Sequence, residues 1–485
     1  MEWFTSSEYW LARQVLERGI ALLYVIAFVA AARQFRALIG ERGLHPVPRY
    51  VARRSMRDAP SIFQLHYSDR FFAGACWLGA ALAAAIVAGA ADLVPLWAAM
   101  LVWLVLWVLY LSIVNVGQIW YSFGWESLLL EAGFLTIFLG NDQVAPPVPV
   151  VILVCWLVFR VEFGAGLIKL RGDSCWRDLT CLYYHHETQP MPGPLSWFFH
   201  HLPKPLHRVE VAANHVAQLV IPFGLFAPQP VSSAAAAIIV VTQLWLVLSG
   251  NFAWLNWITI VLACGVIGHS ALPSAFPEPP ALADPPVWFT ALVVAFVIVV
   301  VALSYWPVRN MLSSNQRMNA TFNPYRLVNT YGAFGSIGRV RHELVLEGTA
   351  EAEITDDTVW REYEFKGKPG APRRLPRQWA PYHLRLDWQM WFAAISPSYG
   401  AWLPRFLLRL LDNDPATLRL LRTNPFPDTP PRHVRVLLYH YRFTTPRELR
   451  RDRAWWHRTL LGEYIPPLSR DRITLAENVD NSGLD

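Results

Sequence analysis

Residues 71–91 and 94–114 read FFAGACWLGAALAAAIVAGAA and VPLWAAMLVWLVLWVLYLSIV. Each is an apolar run of about 20 residues, the length an α-helix needs to cross roughly 30 Å of hydrocarbon. Only Asp92 and Leu93 separate them, so the two runs must form an antiparallel pair of membrane helices. Seven further stretches of similar character lie around this pair, at about 15–34, 125–140, 148–168, 209–227, 231–249, 252–269 and 287–306. The first, VLERGIALLYVIAFVAAARQ, carries Arg18 and Arg33 near its ends, where long side chains reach the interface. It lacks the small-residue cleavage site of a signal peptide and is read as a retained span. The sixth opens on the polar run VEVAANHVAQ. About nine spans are therefore expected.

Composition agrees with this reading. Of 485 residues, 54% are hydrophobic and only 16% charged, too apolar for an ordinary water-soluble protein. The 23 Trp, 26 Phe and 17 Tyr suit a chain anchored by aromatic belts at two bilayer interfaces. Collagen-like, coiled-coil and disordered classes are excluded, and the lipid bilayer is the first partner; no nucleic-acid partner is expected. The five Cys are too few and too scattered for a disulfide scaffold, and no pair of CxxC units suggests a structural zinc. Net charge is +6, carried almost wholly by Arg, since the only Lys are Lys169, Lys204, Lys366 and Lys368. Arg- and Ala-rich usage points weakly to a bacterial source.

After Pro307 long apolar runs vanish. Alternation in HELVLEG, VWREYEFKG and HVRVLLYHYRF reads as strands, with short amphipathic helices in LDWQMWFAAI and WLPRFLLRLL between them. The expected organisation is a polytopic helical membrane domain over 1–309, a mixed α+β domain outside the bilayer over 310–466, and a polar, frayed tail over 467–485. Gly332, Gly335 and Gly338 lie in NTYGAFGSIG with the wrong spacing for a dinucleotide fingerprint. No cofactor is expected.

Charge inside the spans is the first functional signal. Glu126 and Glu131 fall in the fourth stretch, and Arg160, Glu162 and Lys169 in or at the end of the fifth. Ionised groups at that depth need partners. On a helix Glu162 and Lys169 share a face while Arg160 points nearly opposite, and pairing of Arg160 or Lys169 with Glu126 or Glu131 is the economical expectation. The cluster reads either as a polar cavity or as an ion-pair network that fixes helix packing. Gly164 and Gly166 permit close helix approach.

The loop 169–208 follows, within LIKLRGDSCWRDLTCLYYHHETQPMPGPLSWFFHHLPKPLHRVE. It is too polar to span and too aromatic for a solvated linker. Cys175 and Cys181 are spaced for a small disulfide loop in an oxidising compartment, or remain as two buried thiols. His185, His186, His200, His201, His207 and His215, with Asp178 and Glu187, match no zinc spacing such as HExxH, and no metal is expected. The alternative is an interfacial segment, with Trp176, Tyr183, Tyr184, Trp197, Phe198 and Phe199 at headgroup depth.

The run FGAGLIKLRGDSCWRDLTCLYYHHETQPMPGPLSWFFHH, then NHVAQLVIPF and SGNFAWLNW, resembles the membrane region of the lipase maturation factor family. NTYGAFGSIGRVRHELVLEGT, WREYEFKGKPG, APYHLRLDWQMWFAA, NPFPDTPPRHVRVLLYHYRF and WWHRTLLGEYIPPLS are similar to that family's C-terminal domain in order and spacing. The resemblance covers residues 60–468. It implies a polytopic protein, resident in the endoplasmic reticulum in eukaryotes, that assists folding and assembly of secreted dimeric lipases through a lumenal, client-binding C-terminal domain. In a prokaryote the location becomes the inner membrane and the client another exported protein. The resemblance marks Gly172, Asp173, Trp176, Arg177, Asp178, His185, His186 and Glu187 as the family loop. It makes Tyr331, Gly332, Trp360, Tyr382, Arg385, Asp387 and Trp388 client-binding candidates. The chain departs from the family in lacking a long charged N-terminal extension and a C-terminal retention signal.

A shorter likeness gives the competing class. GLIKLRGDSCW resembles the G-x-x-K-L motif, followed by Trp, of the vitamin K-dependent γ-carboxylase and its bacterial relatives, in which the matching lysine is the catalytic base. Under that alternative the protein is a membrane-embedded enzyme and Lys169 its base, although a snorkelling or salt-bridged anchor explains the same residue. A transporter is a more distant alternative. Topology sets two arguments against each other. The loop 33–70 holds eight Arg (Arg33, Arg36, Arg42, Arg49, Arg53, Arg54, Arg57, Arg70), so the positive-inside rule places it in the cytoplasm. Nine spans then put the C-terminal domain there too, whereas the resemblance puts it outside. Following the resemblance requires a changed span count or an Arg-rich loop lying along the membrane.

Overall fold

The computed structural model describes residues 4–472; most of the tail expected to be frayed, 473–485, lies outside the described residues. Nine helices correspond to the nine apolar stretches: α1 (Trp10–Leu38), α2 (Asp69–Val87), α3 (Leu96–Val116), α4 (Gly124–Thr136), α5 (Val148–Arg171), α6 (Lys204–Leu219), α7 (Val231–Ser249), α8 (Leu255–Cys264) and α9 (Val287–Leu303). Local chemistry sets their ends. Ser68 caps α2 by accepting from Phe71 N, and α5 and α6 each begin with a proline in the first turn, where no intrahelical donor is lost. The 3-10 segment Ile221–Phe226 extends α6.

Seven of the nine are long and apolar enough to cross a membrane, and the expectation of about nine such helices is corrected to that number. The exceptions are α4, with 13 residues, and α8, with 10, about 20 and 15 Å long at 1.5 Å per residue. Beyond Thr136 the chain leaves α4 and turns at Gly140, where φ is +85°, and α8 gives way at Gly265, whose φ of −65° is still helical. Both short helices still join the two ends of the bundle. Phe252, Ala253 and Trp254 ahead of α8 are buried, which is the condition under which non-helical backbone is tolerated at membrane depth.

Hydrogen bonds identify the two ends. At one, Val148 N donates to Phe4 O (2.8 Å), Asn141 Nδ2 to Val94 O (2.9 Å) and Ser270 N to Glu8 Oε1 (2.9 Å). At the other lie the loops 39–68 and 172–203 and the whole C-terminal domain. There Arg409 Nη2 donates to Arg42 O (2.6 Å) and Arg405 Nη1 to Leu44 O (3.3 Å). The chain therefore runs between the ends nine times, and the Arg-rich loop shares its end with the C-terminal domain. No changed span count separates them, so the collision is not resolved that way.

The bundle packs through aromatic and small residues. Tyr24 and Phe28 of α1 meet Tyr110 of α3 at 5.5 and 5.3 Å between ring centroids, both edge-on. Phe28 also fills the space a side chain at Gly79 of α2 would need. Outside the bundle, β1 (Arg341–Thr349), β2 (Arg361–Phe365), β3 (Leu421–Thr423), β4 (His433–Phe443) and β5 (Trp456–Leu468) form one antiparallel sheet in the order β3-β2-β1-β4-β5. Val345 sits opposite Leu437, and Tyr439 opposite Leu460. Helices α10 (Arg385–Ile395) and α11 (Leu403–Leu411) lie between β2 and β3 in sequence. Leu344, Leu346, Val434 and Val436 join Phe406, Leu407 and Leu410 in the main core. Val345, Tyr441, Phe443 and Trp456 on the opposite face pack on Trp197, which comes from the loop after α5.

Candidate functional site

The two carboxylates of α4 are both buried, and both find partners delivered by the C-terminal half of the chain. Glu126 and Arg385 are each fully buried and ion-paired. Tyr110 OH donates to the second oxygen of Glu126. Arg385 Nη1 also donates to Trp120 O (2.8 Å), and its guanidinium lies 3.6 Å from the centre of the Tyr121 ring. Gln34 of α1 fixes the arrangement, donating to His383 O (2.8 Å) and accepting from Arg385 N (3.0 Å). His383 sits 3.5 Å from Glu126, but burial first, and the Arg385 charge second, push its pKa down to about 4. It is therefore neutral, and Arg385 supplies the positive charge.

Glu131 holds a second junction. It pairs with Arg160 of α5 and accepts from Asn329 N (2.9 Å), Asn329 Nδ2 (3.0 Å) and Tyr331 OH (2.7 Å); Arg160 Nη1 donates to Asn329 O (2.7 Å). The segment 313–340 thus forms no strand and packs down onto the bundle. Close approach is possible because α5 presents glycines: a Cβ at Gly164 would lie 2.5 Å from Tyr331 O, and one at Gly172 would collide with Gly335 O. Gly164 therefore admits a backbone segment, while Gly166 meets Leu219 and Gln218 of α6.

The other face of α5 carries a separate network. Lys169 Nζ donates to Asn214 Oδ1 (2.9 Å) and Gln218 Oε1 (2.8 Å) and lies 4.9 Å from the Trp176 ring centre. Gln218 Nε2 and Gln243 Nε2 donate to the two oxygens of Glu162 (3.2 and 2.6 Å), and Asn256 Nδ2 to Gln243 Oε1 (2.7 Å). Of the pairings expected for Arg160 and Lys169, that of Arg160 with Glu131 is present. Lys169 contacts neither Glu126 nor Glu131; its Nζ is held by two neutral amide oxygens.

The family loop is the third component. Cys175 and Cys181 are joined as a disulfide. Asp173 makes two bonds with Arg339 (2.9 and 2.7 Å), and its amide donates to Gly335 O (2.9 Å). Trp176 Nε1 donates to Phe334 O (2.8 Å), Arg177 Nη1 to Leu170 O (2.7 Å), and Glu187 accepts from Phe443 N (2.6 Å). His185 packs on Phe334 and Phe252, and His186 on Phe199 and His207. Asp178 is exposed. Arg341, buried under the sheet, donates to Glu187 O (3.0 Å) and Pro190 O (3.1 Å) and shares Glu343 with Lys368.

Most client-binding candidates belong to these junctions. Tyr331, Gly332, Arg385, Asp387 and Trp388 are buried; Asp387 accepts from Gly367 N (2.6 Å) and Lys368 N (3.0 Å), and Trp388 packs on Trp125 (4.8 Å). Trp360, beneath Arg435, and Tyr382 keep part of their surface exposed. Sequence reasoning missed Gln34, Asn329, Gln218, Gln243 and His383. For Gln34, Gln218 and Gln243 a signal was available, as uncharged polar residues in or beside apolar runs.

Residues 11–274 match the lipase maturation factor transmembrane domain, and residues 327–466 the lipase maturation factor C-terminal domain. The chain is 42% identical to lipase maturation factor 1 of Bos taurus, covering 96% of this chain and 90% of that protein. Identity to the Homo sapiens lipase maturation factor 1 is 39%, covering 96% and 89%. For the Homo sapiens lipase maturation factor 2 it is 29%, covering 98% and 85%. No solved structure matches.

Arg160→Ala strands Glu131 beside neutral donors only, and is expected to destabilise the protein by about 3–5 kcal/mol, read as lower folded abundance and earlier thermal unfolding in detergent. A second expectation concerns acid. Arg339 first, and the Cys175 and Ile337 amides, hold the Asp173 carboxyl down to about 2, below its usual 3.8. A depressed carboxylate stabilises above its unfolded pKa, and that contribution is lost as pH falls from about 4 to 2. Asp173→Asn should remove this part of the acid dependence in thermal unfolding curves taken across that window.

Proposed function

The chain belongs to the lipase maturation factor family, and on that premise we propose that it is a multi-pass membrane factor that assists folding and assembly of a secreted, lipase-like client. The observation that carries the reading is the match of the whole chain, bundle and sheet domain together, to lipase maturation factor 1. The geometry supports a binding role. Glu126 is consumed in holding the sheet domain, and Glu131 with Arg160 in holding the segment that leads to it, which suits a rigid platform.

Client contact falls to what the junctions leave exposed: Trp360, Tyr382 and the outer edge of the sheet. That edge is β5, a strand of 13 residues with one unpaired side and with Leu460 and Leu461 about half exposed. An unpaired strand edge offers backbone donors and acceptors to an extended segment of a folding partner. The domain end is assigned to the lumen of the endoplasmic reticulum in a eukaryote, or to the outer side of the inner membrane in a prokaryote. The Cys175–Cys181 disulfide at that end supports the assignment; the Arg count of loop 33–70 points the other way.

Two experiments test these readings. In cells lacking their own lipase maturation factors, the chain should restore secretion of active lipase, and the folded Lys169→Gln variant should restore it as well. Failure of the wild-type chain to do so removes the client assignment. Restored client binding with activation lost about 100-fold in Lys169→Gln promotes Lys169 to a catalytic base. Orientation is read by alkylation: Cys175 and Cys181 should resist a thiol reagent in intact membranes until reduced, and immediate labelling by a membrane-permeant reagent only would place the domain end in the cytoplasm.

A further inference from the structure

The loop after α5 and the first turns of α6 bring together three side chains that client binding does not use. His207 and Glu210 are three positions apart on α6 and so share a face. His186 reaches the same place from the short helix Leu182–Thr188. One ligand atom from each of the three lies within 4.8 Å of the others.

A second observation says what the cluster lacks. His186 is 1% exposed, and neither ring nitrogen has a hydrogen-bond partner among the described residues. A neutral imidazole always carries one N–H donor and one acceptor nitrogen, so both needs go unmet in a buried place. His207 is equally buried with its Nδ1 unpartnered, and its Nε2 lies 3.4 Å from His200 O. Glu210, by contrast, is oriented from outside, because Trp245 Nε1 donates to its Oε1 (2.7 Å). Such a contact fixes the direction of a ligating carboxylate.

We propose that His186, His207 and Glu210 bind a divalent transition metal ion, Zn²⁺ first among them. Two imidazoles and one carboxylate are a donor set that zinc accepts, with a fourth position left for water. The ion ties the loop to the foot of α6. That loop also supplies Trp197 to the underside of the sheet, where Trp197 Nε1 donates to Thr444 O (2.7 Å). The metal therefore sets how firmly the sheet domain is seated. His186 and His207 are 21 positions apart, in no familiar zinc spacing, so only the folded chain assembles the site.

The test uses the full chain in detergent, carrying an affinity tag without histidine and stripped of metal by a chelator. Co²⁺ should bind one per chain with visible d–d absorption and be displaced by Zn²⁺. Glu210→Gln, which keeps the side-chain size, and His207→Ala should each weaken binding by at least the roughly 10- to 100-fold that loss of even an outer-shell partner costs. His201→Ala, whose ring sits on Trp197 O, should bind as the wild type does. X-ray absorption of the loaded wild type needs no variant and should report imidazole scattering in the first shell. No saturable uptake by the wild type, undiminished uptake by both ligand variants, or a first shell without imidazole each overturns the site.

Discussion

A carboxylate buried in a membrane helix has to be neutralised by something, and here Glu126 is neutralised by Arg385, 259 residues away in the C-terminal half. The rest of the architecture follows from that dependence. Arg385 is the first residue of α10, and α10 packs against β1, so pairing it with Glu126 fixes the sheet over the bundle. Removing either partner would leave a full charge buried beside Tyr110, Tyr121 and Trp254, a cost of several kcal/mol. Neither the bundle nor the sheet domain is electrostatically complete alone.

Around this pair the contacts are layered. Glu131 and Arg160 capture the segment 313–340 through Asn329 and Tyr331. The disulfide-closed loop is bound to the same segment through Asp173 and Trp176, then passes beneath the sheet to Arg341 and Phe443. The sheet is held on one face by its own helices and on the other by the loop. That leaves the β5 edge unpaired.

Much of this was legible in the sequence and some was not, for identifiable reasons. Apolar runs marked all nine helices, but hydropathy does not reveal where the backbone leaves helical geometry, so α4 and α8 looked longer than they are. Helical periodicity correctly sent Arg160 and Lys169 to different neighbours. It carried no information on Lys169's partners, because Asn214 and Gln218 lie in the polar start of the sixth stretch and bear no charge. Resemblance picked out Tyr331, Arg385, Asp387 and Trp388, yet one strong motif signal serves burial and contact alike. Only coordinates separate a residue that seats a domain from one that meets a client.

The long separation between Glu126 and Arg385 bears on how the molecule is made. Glu131 meets Arg160 only 29 residues later, so its neutralisation is local to one helical hairpin. Glu126 must wait for 259 residues more of chain, roughly 10 to 50 s at ribosomal rates of about 5–20 residues per second. Of the partners of Glu126, Tyr110 precedes it in the chain and Arg385 comes long after it. The last strand to be synthesised is also the outward edge of the sheet. A chain that ends before Arg385 therefore leaves Glu126 without its ionic partner.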